Sequence, residues 1–117
     1  MKFVLLIYQG SAPLPGSEKW NALSKEEQKA IYTDYAEFNK TPGLVSGLPL
    51  GLPTAAKTVK IRNGQIETKS GTYMPEGAGG YCILEANSME EAIAVASRIP
   101  AARLGGAIEV RPAEQYW

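Results

Sequence analysis

The segment Ser70-Gly71-Thr72-Tyr73-Met74-Pro75-Glu76-Gly77-Ala78-Gly79-Gly80 gathers a hydroxyl, a phenol and a carboxylate on one glycine-rich connection. Glycines let a backbone approach a ligand closely or move as a lid, so Ser70, Tyr73 and Glu76 are candidate binding residues. Their spacing does not match a phosphate-cradling loop, because neither a Lys-Ser/Thr pair nor a helix start follows. Tyr8 and Tyr81 lie at the end and the start of two apolar runs, where a hydroxyl can orient a ligand or serve as a weak acid. Glu85 closes the second run, and Glu109 and Arg111 sit two apart, on one face of an alternating stretch. Tyr8, Tyr81, Glu85 and Arg111 complete the candidate set. The plainer alternative is a solvated loop, core rings with satisfied hydroxyls and an ordinary polar strand face.

Other chemistry is excluded by residue type. The chain has no His and one Cys. His-based acid–base work, Ser-His and Cys-His nucleophile pairs, His-ligated zinc and thiolate cages are therefore out of reach. The carboxylates show no spacing suited to a metal, and no cofactor motif occurs. Cys82 has no cationic neighbour in sequence and reads as a buried, inert thiol. Asp34 and Glu37, beside Tyr35 on a helix, read as surface carboxylates.

Lys plus Arg equals Asp plus Glu, 12 each, so no positive field draws nucleic acid or anionic lipid. The opening apolar run is too short for a membrane span and lacks a following cleavage site, which makes a cytoplasmic protein the expectation. At 117 residues, residues 1–117 form a single domain.

The elements that must position the candidates follow from pattern. Residues 2–8 form a first strand, and 9–23 a Pro- and Gly-containing loop that Trp20 pins to the body. Ser24-Lys25-Glu26-Glu27 is a capping box opening a helix to about Lys40, with Ile31, Tyr35 and Phe38 on one face. An edge strand is expected over 44–48 in a Leu-, Gly- and Pro-rich stretch. Asn63-Gly64 joins strands 58–62 and 65–69, since a type I′ turn needs positive φ at both central residues. Loop 70–80 leads to a second apolar strand, 81–86. Ser88-Met89-Glu90-Glu91 caps a helix with Met89, Ala92, Ile93, Ala96 and Ile99 as its stripe; 101–106 is a turn and 107–111 the last strand. Tyr116 and Trp117 dock on a partner or fray.

Phe3-Val4-Leu5-Leu6-Ile7-Tyr8 and Tyr81-Cys82-Ile83-Leu84 do not alternate with polar residues, as a strand covered on both faces would not. Two helices cover one face only, so a second copy of the chain is expected on the other. With the hairpin set aside, the order is βαββαβ, an α+β ferredoxin-like pattern with the two apolar strands in the middle of an antiparallel sheet.

The opening Met1–Tyr8 run, the Asn63-Gly64 hairpin, Gly79-Gly80-Tyr81-Cys82-Ile83-Leu84-Glu85 and the closing Ile108-Glu109-Val110-Arg111-Pro112 together resemble YCII-related, or DGPF-domain, proteins. The resemblance covers nearly the whole chain. It implies a ferredoxin-like domain that pairs sheet to sheet as a dimeric α+β barrel. One branch of that family contains a ring-dehalogenating enzyme dependent on a His-Asp pair. Here Ser70-Gly71-Thr72-Tyr73 stands where Asp-Gly-Pro-Phe is expected, and there is no His, so that mechanism transfers to no residue. The resulting expectation is a homodimer binding a small organic acid or aromatic molecule in a cavity between facing sheets. An isomerase, lyase or cofactor-free oxygenase using Tyr, Glu or Arg is the alternative, with Glu85, Tyr8 or Tyr81 and Arg111 converging as its signature. A dimerisation module without a ligand is the third.

Overall fold

A computed structural model describes residues 1–116. Six strands and four helices follow in order: β1 Lys2–Tyr8, α1 Glu18–Asn21, α2 Lys25–Phe38, β2 Leu44–Ser46, β3 Lys57–Arg62, β4 Gln65–Ser70, β5 Ala78–Glu85, α3 Met89–Ala96, α4 Pro100–Arg103 and β6 Ala107–Pro112. A single 3₁₀ turn, Pro53–Ala55, precedes β3. The main sheet is antiparallel with order β2-β5-β1-β6; β3 and β4 form a separate two-stranded sheet. This is the expected α+β ferredoxin-like arrangement, with the two apolar strands at its centre and the sheet open rather than closed into a barrel.

Local chemistry explains the elements. In α2 the Ser24 Oγ accepts from the Glu27 N–H at 3.1 Å, and the Ser24 N–H donates to Glu27 Oε1 at 3.0 Å. That second bond holds the Glu27 carboxyl below its ordinary range. Asn63 and Gly64 turn the hairpin with φ of 49° and 75°, the left-handed values a tight β3–β4 connection demands.

Several boundaries move. Loop 9–23 contains the one-turn α1, capped by Ser17, whose Oγ accepts from the Trp20 N–H at 3.2 Å. Trp20 is buried and meets Tyr32 of α2, so it does pin the loop. The first long helix stops at Phe38, two residues early, and β2 at Ser46, since Gly47, Pro49 and Gly51 break regular pairing. β5 begins at Ala78, inside the expected loop, because Ala78 and Gly80 pair with Tyr8 and Ile7 of β1, with Gly79 bulged between them. α3 ends at Ala96 and Ile93 is half exposed; Pro100 then starts α4 where a plain turn was expected, Pro being well suited to a first helical position. Tyr116 is exposed, and Trp117 lies outside the described residues.

The core sits between one sheet face and the helices. Phe3, Leu5, Cys82 and Leu84 on that face are all but fully buried, with Phe38, Ala92, Ala96 and Ile99 above them. Among the described residues, no helix packs on the opposite face. Register places Val45, Ile83, Val4 and Arg111 in one row, and Tyr81, Leu6 and Glu109 in the next. Tyr81 is 44% and Ile83 37% exposed. The molecule is 19 Å thick, the depth of one helix layer on one sheet layer. Its radius of gyration is 16.1 Å, against about 13 Å for a compact chain of this length. The β3–β4 hairpin contributes to that spread: nearly every residue in it is exposed, including Val59, Ile61 and Ile66 on one face.

Candidate functional site

A cavity of about 490 Å³ opens on the helix-covered side of the sheet, between the starts of β5 and α4 and the inner face of α2. Two irregular segments wall it. The first follows β1. Gln9 accepts from the Ala12 N–H at 2.8 Å, Ser11 donates its N–H to the Gly105 carbonyl at 3.1 Å, and Lys19 Nζ donates to the Ser11 carbonyl at 3.0 Å. The second is the Leu/Gly/Pro-rich stretch after β2. It is tied to β5 by the Gly47 N–H on the Tyr81 carbonyl and the Leu50 N–H on the Gly79 carbonyl, both at 3.0 Å. A stretch with no hydrophobic period thus becomes an ordered wall through backbone bonds.

The floor is Ile7, Cys82 and Gly79; the roof is Ile31, Tyr32, Tyr35 and Phe38, with Trp20 beside them. Trp20 and Tyr32 meet edge to face. Gly79 leaves room for Gln9, since a β-carbon there would fall 2.6 Å from Gln9 Cγ. At the far rim Ser46 Oγ donates to Asn39 Oδ1 at 2.7 Å.

Two ionisable groups of this wall are strongly influenced by it. Burial pushes the Cys82 thiol up to about 11, so it is a neutral thiol at physiological pH. Burial also raises Tyr35, outweighing the opposite pull of the Gln9 side chain, the Ala101 backbone and the Arg103 charge. Arg103 itself is paired with Asp34 of α2, one position from the expected apolar stripe. The cavity can therefore offer hydrogen bonds from Gln9, Tyr35, Asn39 and Ser46 within an aromatic and aliphatic enclosure. Among the described residues its lining includes no Asp, Glu, Lys or Arg.

Of the candidate binding residues Tyr8, Ser70, Tyr73, Glu76, Tyr81, Glu85 and Arg111, Tyr81 alone borders this space, at the sheet end where its strand begins, although its register places its side chain on the uncovered face. Its ring lies against Gly47, where a β-carbon would fall 2.6 Å from Cζ. Tyr8 donates its hydroxyl to Glu109 Oε2 at 3.3 Å on the uncovered face. Ser70 accepts from Lys57 Nζ at 2.7 Å at the base of the hairpin, and Tyr73 lies under the Lys60 ammonium, 5.0 Å from the ring centroid. Glu76 is exposed in the connection after β4. Glu85 receives the Met1 amino group at 3.1 Å and pairs in register with Lys2, at the opposite end of β1 from Tyr8; Arg111 faces Val4. Tyr8, Glu85 and Arg111 do not converge within one chain. The reading from sequence passed over Gln9 and treated Tyr35 as part of a core face. A polar residue directly after a buried strand, and a Tyr among core positions, were the available signals.

Among the described residues no cluster of three His, Cys, Asp or Glu side chains could hold a metal ion, and no helix is long and apolar enough to cross a membrane. No curated protein matches the chain. The family model of the YCII-related domain matches residues 1–115, so the chain is a member of the YCII-related family.

Proposed function

We propose that this YCII-related protein is a homodimeric small-molecule binder whose ligand occupies the cavity between β5 and α2. The observation that carries the reading is the enclosure itself: about 490 Å³, walled by Trp20, Tyr32, Tyr35 and Phe38 with a few polar tips. Ligand sites typically have this size and this mixture. The chain's own cavity lies on the helix side, so a site between two facing sheets is not needed to house a ligand. Binding is favoured over catalysis because the lining holds neither carboxylate nor ammonium, and its thiol keeps its proton.

The dimer reading draws on the uncovered sheet face. Val4, Leu6, Val45 and Ile83 form an apolar centre, and Lys2, Glu85, Glu109 and Arg111 a charged margin, the usual anatomy of an interface. Four strands about 4.8 Å apart and averaging about 20 Å in length present about 400 Å² before side-chain relief is counted. Side-chain relief raises that flat area toward the ~800 Å² per partner of a standard interface.

Trp20 supplies the test. In a Trp117→Phe protein it is the only indole, and 2-naphthol should change its emission saturably with one site per chain. Leu104→Phe, which narrows the cavity, should weaken that response. Absence of saturation up to millimolar 2-naphthol contradicts the reading.

A further inference from the structure

We infer that the cavity is built for an uncharged, largely apolar ligand carrying one or two neutral hydrogen-bonding groups, and that it rejects the carboxylate form of the same skeleton. This rests on the cavity being the ligand site. Among the described residues, none of the 23 that line it is Asp, Glu, Lys or Arg. At the chain's 21% charged content, a lining of that size would include about five. The polar groups present, chiefly Gln9, Tyr35, Asn39 and Ser46, are all neutral; Ser46 pairs with Asn39, and Tyr35 with Gln9 and the Ala101 backbone, while the two side-chain amides keep donor capacity beyond these bonds. Arg103, whose charge is felt at the Tyr35 hydroxyl, is neutralised by Asp34. A carboxylate entering this space loses its hydration and finds no cation among the described lining residues, whereas an amide or hydroxyl of the same shape can exchange hydrogen bonds with the side-chain amides. Of the two ligand classes expected from sequence, a small organic acid or an aromatic, the lining favours an aromatic without a charge.

Naphthalene-2-carboxamide and 2-naphthoate share ring and shape and differ in charge. Calorimetric titration of the full chain at neutral pH should show the carboxamide binding at least about tenfold more tightly. Leu14→Lys places an ammonium at the rim of the cavity, on a loop outside the core, and should narrow or reverse that preference. Naphthoate binding the unaltered protein as tightly as the carboxamide overturns the inference and leaves the cavity reading intact. So does a preference that Leu14→Lys, still folded, fails to change. Binding of neither compound overturns the cavity reading and this inference together.

Discussion

Trp20 and Tyr32 meet edge to face with ring centroids 5.1 Å apart and planes inclined at 71°. The contact joins the loop after β1 to α2 and closes one side of the cavity. An aromatic pair of this kind adds about 1 kcal/mol beyond the area it buries. Tyr32→Ala should lower the urea-derived unfolding free energy by at least about that amount, since the covered part of the ring is lost as well. It should also shift Trp20 emission to the red, as water reaches the indole.

Gly79 sits beneath the Gln9 side chain, and the displaced atom in a Gly79→Ala protein would be the far part of a flexible amide rather than backbone. Strand backbone at this position suits Ala, so stability should hold or rise by up to about 1 kcal/mol. Affinity for naphthalene-2-carboxamide should nonetheless fall several-fold as Gln9 is pushed aside. Paired thermal-melt and calorimetric measurements check the separation.

Cys82 gives the protein an alkaline weakness. The native thiol holds its proton to about 11, while the unfolded one ionises near 9.0. Between those values the unfolded chain binds fewer protons than the native one, so stability falls as pH rises across the window. The raised Tyr35 adds to the loss at the upper end. Denaturant melts from pH 8 to 11 should show this decline, and Cys82→Ala should flatten its first part.

Ile83 is at the centre of the uncovered sheet face, opposite both Val4 and Val45. Ile83→Lys should leave the helix-side core untouched and convert a dimer into a monomer in sedimentation velocity at micromolar concentration. A wild-type chain that sediments as a monomer under the same conditions contradicts the proposed assembly.

The fold was legible where local signals agree with global placement. Ser24 and Glu27 cap α2, Asn63 and Gly64 turn the hairpin, and the two non-alternating runs occupy the central strands β1 and β5. The cavity was not legible, because it exists only where the chain after Tyr8 and the chain after Ser46 fold over one sheet edge. Those stretches are rich in Pro and Gly and carry no period to read. Gln9 and Tyr35 acquire their significance from a contact across 26 positions of sequence. The glycine-rich stretch drew attention through its composition, yet Ser70, Tyr73 and Glu76 belong to the exposed hairpin side of the molecule. Composition marks where backbone can bend; it does not say what the bend encloses.

Where a ligand binds can be mapped residue by residue, by titrating isotope-labelled protein with naphthalene-2-carboxamide and following amide and side-chain resonances. Saturable shifts concentrated at Gln9, Trp20, Tyr35, Gly79 and Cys82, with Val4, Leu6 and Ile83 unmoved, are the predicted result. Shifts confined to Val4, Leu6 and Ile83, or none that saturate, would contradict a ligand site between β5 and α2.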